Sequence, residues 1–306
     1  MTDDRPKLLL LDAHALIHRS FNAIPPLNAP DGRPVNAAFG FVSTLLTVVD
    51  TFDPKYVAVA FDEPGPTFRD NVFADYKATR TPTVEELKVQ FPIVLELVAA
   101  LNIPLFFQAG YEADDLIGTL ATQAEAADTD TIIVSGDHDL YQLITDHVKV
   151  YNVSRSLKAA ELLDEAVFRE HYGFAPNLLP DYKALRGDTS DNIPGVAGIG
   201  PKTAKQLIAD LGGLDGILAA CEPGSTAVIN AKAKEKICTH KEMAILSKQL
   251  ATIVTTSPIT LNLKDCVVRH YDAAKATALF ETLGFKSLLK RLPKSMPSAA
   301  EQGSLF

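Results

Sequence analysis

The sequence predicts an α/β fold: a central, mostly parallel sheet flanked by helices, followed by a wholly helical part. Two observations carry this. Leu8-Leu9-Leu10-Leu11, Tyr56-Val57-Ala58-Val59-Ala60-Phe61 and Thr131-Ile132-Ile133-Val134 are short, continuous apolar runs, as expected for strands buried on both faces of a parallel sheet. Helical spacing separates these runs, and from about residue 160 it is the only spacing left. The runs also lead to Asp12, Asp62 and, through Ser135-Gly136, Asp137. In open α/β sheets the ligand site lies beyond the carboxyl ends of the strands. Carboxylates aimed at one partly buried place repel unless cations sit among them.

In chain order, residues 13–23 suit a short helix and Phe39 to Thr51 a second, broken by Asp53-Pro54 before the next strand. Residues 63–83 differ: Pro64, Gly65, Pro66 and Pro82 punctuate a segment bearing Arg69, Tyr76, Lys77 and Arg80. Insertions of this length tend to be functional, and cations interleaved with an aromatic suit single-stranded nucleic acid. A helix from Val84 to Leu101, interrupted by Pro92, a strand over 104–107 and a helix over 113–126 follow. After the strand at 131–137 come a helical turn at 138–145 and a strand at 148–153. Helices are then expected over 163–172, 178–185, 201–211, 214–220, 229–247 and 272–282, with a Pro/Ser/Gly/Ala-rich tail from 293.

The chain has 306 residues, 47% of them hydrophobic, enough for a large core. No apolar stretch approaches the roughly 20 residues of a membrane span, and the polar Met1 to Lys7 does not read as a signal peptide. Cys221, Cys238 and Cys266 show no C-x-x-C pattern and are expected to be three free thiols in a reducing cytoplasm. The net charge of −9 speaks against a polyanionic partner only until the acids are placed. Metal ions on the nine acids nominated here would neutralise all of it, and cations cluster at Lys183/Arg186, Lys202/Lys205, Lys232 to Lys241 and Lys286 to Lys294.

Three further acidic groups join the strand-end aspartates: Glu112-Ala113-Asp114-Asp115, Asp137-His138-Asp139 and Asp188-Thr189-Ser190-Asp191. A step of three lets Glu112 and Asp115, or Asp188 and Asp191, share one face. Any one group could be a helix cap, but three such groups together with the strand-end aspartates point to a site. Oxygen-only donors select hard cations, Mg²⁺, Mn²⁺ or Ca²⁺. Two such ions about 4 Å apart can clamp the attacking and leaving oxygens of a phosphodiester.

Asn192-Ile193-Pro194-Gly195-Val196-Ala197-Gly198-Ile199-Gly200-Pro201-Lys202-Thr203 is the sharpest motif. Gly195 to Gly200 suits a tight turn in which Gly198 and Gly200 permit backbone angles closed to other residues. Pro201 suits the first helical position. The free N–H groups there, with Lys202 and Thr203, can hold a phosphate. The pattern resembles the helix-hairpin-helix module that grips the DNA backbone without reading bases.

Taken together, Leu11-Asp12, Ala60-Phe61-Asp62, Thr67-Phe68-Arg69, Tyr76-Lys77-Ala78-Thr79-Arg80, Tyr111 to Asp115, Ser135 to Asp139 and Gly187 to Gly195 resemble the 5′-nuclease domain of bacterial DNA polymerase I, within the flap endonuclease superfamily. The resemblance spans about residues 7–292. It implies a PIN-like or resolvase-like catalytic part over 1–160, with an arch at about 64–88. It implies a helical DNA-binding part over 161–292, with the helix-hairpin-helix at 192–211, and a flexible tail over 293–306. Its metal-site pattern maps onto Asp12, Asp62, Glu112, Asp114, Asp115, Asp137, Asp139, Asp188 and Asp191. It places Lys77 and Arg80 at the scissile phosphate, Tyr76 on a base, and Arg19 and Arg69 on DNA. It further implies two or more Mg²⁺ or Mn²⁺ ions and a monovalent cation at the hairpin. The implied substrates are DNA with a 5′ flap, nick or single-strand/duplex junction and RNA primer–DNA hybrids, processed in replication and repair in a bacterial cytoplasm, at the nucleoid. His138 stands where a lysine is common. Two rival readings are a non-catalytic DNA-junction binder and a PIN-like ribonuclease. Intact acids argue against the first; length and the glycine hairpin argue against the second. Finally, Gln302, Leu305 and Phe306 resemble a short sliding-clamp-binding peptide.

Overall fold

The computed structural model describes residues 5–154, 159–225 and 229–292; Gln302, Leu305 and Phe306 lie outside the described residues. Strands β1 (Lys7–Asp12), β2 (Tyr56–Ala60), β3 (Leu105–Phe106), β4 (Asp130–Ser135), β5 (Val148–Asn152) and β6 (Glu161–Leu163) form one sheet in the order β3-β2-β1-β4-β5-β6. The first five are parallel, and β6, which the sequence did not suggest, pairs antiparallel with β5. In register, Leu11 lies between Val59 and Val134.

Side chains alternate across a strand, and both faces are covered here. Leu9, Leu11, Val57, Val59, Ile132 and Val134 enter one core. Leu8, Leu10, Ala58, Ala60 and Ile133 enter the other. This is why the runs are continuously apolar. The helices of the first part are α1 (Ala13–Ala23), α2 (Asn36–Phe52), α3 (Phe68–Val72), α4 (Glu85–Lys88), α5 (Phe91–Ala100) and α6 (Ala113–Ala126). Those that follow are α7 (Glu165–Tyr172), α8 (Leu179–Arg186), α9 (Pro201–Leu211), α10 (Leu214–Ala219), α11 (Ala231–Thr239), α12 (Lys241–Ala251), α13 (Ala273–Thr282) and α14 (Lys286–Leu289). The helix expected over 229–247 is thus two, broken at His240, and α12 lies along α8.

Helices α1, α2, α5 and α13 share the first core, while α6 and the helices from α7 to α11 share the second. The last part of the chain therefore returns to the sheet: Val267 bridges Tyr56, and Ala276 and Phe280 pack on the face opposite α6. No helix of the described residues is long and apolar enough to cross a membrane.

The expectation of three free thiols is corrected. Cys221 and Cys238 form a disulfide, their Cα atoms 5.5 Å apart across 17 residues of sequence. The chain reverses between α10 and α11, and no spacing rule reports such a reversal. Cys266 is free and buried, and burial pushes its thiol up to about 11.

From β1 the chain moves outward to β2 and β3, then crosses back to β4 on the other side of β1. The carboxyl ends of β1 and β4 are therefore a topological switch point, where a crevice opens.

Candidate active site

Asp12 closes β1 and caps α1: its carboxylate accepts from the Ala15 N–H (3.1 Å) and the Ser135 hydroxyl (2.6 Å). Ser135, at the end of β4, also accepts from the Asp137 N–H (2.9 Å), so one buried hydroxyl ties both sides of the switch point. Asp137 in turn accepts from the Asp139 N–H (2.8 Å). Asp62, just past β2, accepts from the Ala113 N–H (2.7 Å) and lies 3.1 Å from His14 Nδ1. Glu112 caps α6, and Asp114 and Asp115 occupy its first turn. Asp188 and Asp191 sit in a turn closed by reciprocal 2.8 Å backbone bonds between Asp188 and Ile193.

Besides Arg69, three cations reach among these acids. Lys77 Nζ lies 2.7 Å from Glu112 and 3.8 Å from Asp191, and Arg80 lies 2.6 Å from Asp191. Lys183, on α8, is buried and donates to both Asp139 and Asp188. The sequence marks Lys183 only as part of a cation cluster with Arg186, and gives no role to the Ser135 hydroxyl or to His14. The available signal for Lys183 was its helical position, one turn before Gly187-Asp188.

The electrostatics show excess negative charge. Burial, reinforced by Asp62 and Asp137, pushes Asp12 up to about 7 despite its two hydrogen bonds. Burial with Asp137 and Asp12 nearby holds Asp114 well above the usual carboxylate range. Burial raises Asp139 to about 6, with Lys183 opposing it. Asp188 shares that burial, but Lys183 and Ser190 outweigh it and draw it down to about 2. An open cleft of about 490 Å³, lined by Arg80, Asp137, Asp139, Lys183 and Asp188 among others, leads in. Among the described residues no three His, Cys, Asp or Glu side chains close on one point; lysine and arginine side chains stand between several of them.

Three expectations are corrected. Arg69 does not face a ligand: it is 2% exposed. Its guanidinium clamps Asp115 at 2.7 and 2.8 Å, Glu112 at 3.2 Å, and the carbonyls of Leu250 and Thr252 at 2.9 Å. Asp115, fully buried, spends one oxygen on Arg69 and the Glu112 N–H and the other on Arg69 and the Val254 N–H. In this arrangement it braces Arg69 against the start of α6. Tyr76 is enclosed beside Ile193, Leu250 and Ala251, its hydroxyl 3.2 Å from Glu112 and 3.3 Å from Asp191. Its ring is not available to a base. Gly200 has φ −91°, open to any residue, so its glycine is not required by backbone angle.

Around the hairpin, Gly195 has φ +64°, and an added Cβ would fall 2.2 Å from the Gly187 nitrogen. That glycine serves the packing of the Asp188 turn. An added Cβ at Gly200 would meet nothing within 4 Å, and Lys202 and Thr203 are exposed. The N-terminus of α9 is therefore open. Lys236 donates to the Gly198 carbonyl at 2.9 Å. Arg19 leaves its buried Nε without a partner among the described residues.

Comparison with known proteins agrees with this architecture. The model of the 5′-3′ exonuclease N-terminal resolvase-like domain matches residues 7–173, and that of the 5′-3′ exonuclease C-terminal SAM fold matches residues 174–274. DNA polymerase I of Chloroflexus aurantiacus is 42% identical over 308 residues, covering 97% of this chain and 32% of that protein. DNA polymerase I of Bacillus caldotenax is 40% identical over 301 residues, covering 98% and 34%. The chain thus spans about a third of the length of these relatives. Bacteriophage T5 5′-exonuclease, solved with zinc, superposes with a TM-score of 0.65 at 22% identity, covering 94% of this chain and 100% of that one. The catalytic core of Rad2 in complex with DNA gives 0.61 at 15% identity, covering 94% and 93%; both share the fold. With two adjoining family models matched and relatives this similar along nearly its whole length, the chain belongs to the 5′-3′ exonuclease family of nucleases.

Proposed function

We propose that the chain hydrolyses phosphodiester bonds of DNA at 5′ flaps, nicks and single-strand/duplex junctions, and of RNA primers paired to DNA, with the help of two or more Mg²⁺ or Mn²⁺ ions. The observation that carries this is the group of carboxylates at the switch point, several held above their ordinary pKa by one another and by burial. All-oxygen donors in a site short of positive charge fit hard divalent cations. Asp12, Asp62, Glu112, Asp114, Asp137, Asp139, Asp188 and Asp191 would hold them. When bound, such ions supply an activated water and a clamp on the phosphoryl oxygens. Asp115 is left out of the set because it is fully buried against Arg69. Support also comes from a T5 flap endonuclease structure described as a pseudo-enzyme-product complex with DNA and metal ions.

The chain's own residues supply the rest. Lys77 and Arg80 reach Glu112 and Asp191 from the arch segment and would bring positive charge to where a phosphate reacts. The open start of α9 would hold a duplex phosphate through free N–H groups. A 5′-flap duplex and a flapless duplex test the proposal. Cleavage at the flap junction with Mg²⁺ and none with chelator is the expected result; cleavage indifferent to chelator would overturn it.

Metal binding should also stabilise the fold, and more at pH 8 than at pH 5. Asp12 and Asp139 have folded-state values of about 7 and 6 against an ordinary 3.8. Their protonation favours the fold fully below 3.8, and that benefit is lost as pH rises through 6 and 7. A cation offsets the loss. At about 100 times Kd it contributes roughly 2.7 kcal/mol. Calorimetric scans with and without Mn²⁺ at the two pH values check this, and equal shifts at both would count against it.

The hairpin gives a third expectation. Gly200→Val should fold normally, since its Cβ meets open space, yet should weaken duplex binding by about tenfold by keeping phosphate from the N–H groups. The loss should be alike for unrelated sequences, measured by anisotropy titration. A sequence-dependent loss would contradict it.

A further inference from the structure

A single 5′ strand entering the cleft needs an aromatic surface on which a base can stack, and Tyr76, being enclosed, does not provide one. Phe107 follows β3 at the carboxyl edge of the sheet and is 40% exposed, the one aromatic among the large hydrophobic side chains exposed in the described residues. Its inner face is already engaged. The ring stacks on Phe61 with centroids 5.4 Å apart and planes at 27°. Phe61 is buried, donates its N–H to the Phe106 carbonyl at 3.0 Å, and immediately precedes Asp62. It also meets His14 edge-on at 5.8 Å, and His14 lies 3.1 Å from the Asp62 carboxylate. The exposed ring is thus backed by a fixed one, and the pair adjoins Asp62, one of the strand-end carboxylates.

We propose that Phe107 is the stacking platform for a base of the single-stranded 5′ strand, an inference that rests on the nuclease reading of the cleft. A scattered surface phenylalanine would need no parallel partner and no particular place. Phe107 has both, at the outer side of β2, where a strand leaving the carboxylates would pass. Every base has a π-face, so such a platform selects single-stranded character rather than sequence.

The test uses the intact chain and its F107A, F107L and F107Y variants, with a 5′-flap duplex carrying 2-aminopurine at successive flap positions and a flapless duplex. Binding is read in EDTA, cleavage with Mg²⁺. F107A should raise Kd for the flapped duplex on the order of tenfold, leave the flapless duplex unchanged, and abolish 2-aminopurine quenching at one flap position. F107Y should restore both, and F107L neither. Unchanged flap binding by F107A, an equal loss on both duplexes, or full rescue by leucine would each overturn the proposal. Failure of the unmutated chain to cut the flap would instead bring down the nuclease reading, and the platform with it. Cutting by the unmutated chain with an indifferent F107A removes the platform alone.

Discussion

Asp137→Ala is expected to lower the single-turnover rate of flap cleavage by about a thousandfold, the scale of losing a group that stabilises charge in the transition state, while making the metal-free fold more stable. Asp137 sits at the switch point, anchored through its N–H to Ser135. Its charge contributes to the raised values of Asp12, Asp114 and Asp139. Deleting it removes repulsion that the fold now carries, so the free energy of unfolding without metal should rise by about 1 kcal/mol, the scale of a one-unit relief in a neighbour. One hydrogen bond, from the Asp139 N–H, is lost against this. Opposite movement of activity and stability marks a functional carboxylate. Rapid-quench kinetics on a flapped duplex and urea unfolding in EDTA measure the two. Cleavage near the original rate, or a large loss of stability, would assign Asp137 to the scaffold.

Arg69→Ala should do the reverse, acting on the fold rather than on DNA. Arg69 and Asp115 are 2% and 0% exposed, and the guanidinium also satisfies two carbonyls at the end of α12. Removing one partner of a buried pair leaves an uncompensated charge, costing about 3–5 kcal/mol. Urea unfolding should show that loss. Arg69→Ala with Asp115→Ala should cost less than the sum of the two, because the orphaned charge disappears; a double-mutant cycle reads the coupling. A stable Arg69→Ala chain that binds flapped DNA poorly would restore Arg69 to the DNA interface.

Those two residues show where sequence and structure part. Arg69 and Asp137 both lie in motifs that mark the family, and nothing local separates a brace from a site residue. Arg69 takes its partners from Asp115 and from Leu250, 181 residues away. Tyr76 is enclosed by Ile193, Leu250 and Ala251 for the same reason: α12 folds over the arch segment. Lys183 reads in the sequence only as one of a cation cluster; α8 brings it between Asp139 and Asp188.

What the sequence determined by itself is what short-range physics writes into it. Leu8 to Leu11, Tyr56 to Phe61 and Thr131 to Val134 are apolar at every position because a parallel sheet covered on both faces buries every position. Their ends carry Asp12, Asp62 and Asp137 because ligands meet such sheets there. The α6 cap at Glu112 and the start of α9 at Pro201 follow from local backbone rules. Tertiary structure alone decided which way side chains face, which acids have free oxygens, and which thiols meet. Cys221 and Cys238 join because the chain brings them to 5.5 Å between Cα atoms across 17 residues, and Phe107 is left in the open beside Phe61 because β3 ends where β2 turns to Asp62. Contacts of that kind depend on chain segments far apart in sequence, whose packing no local pattern encodes.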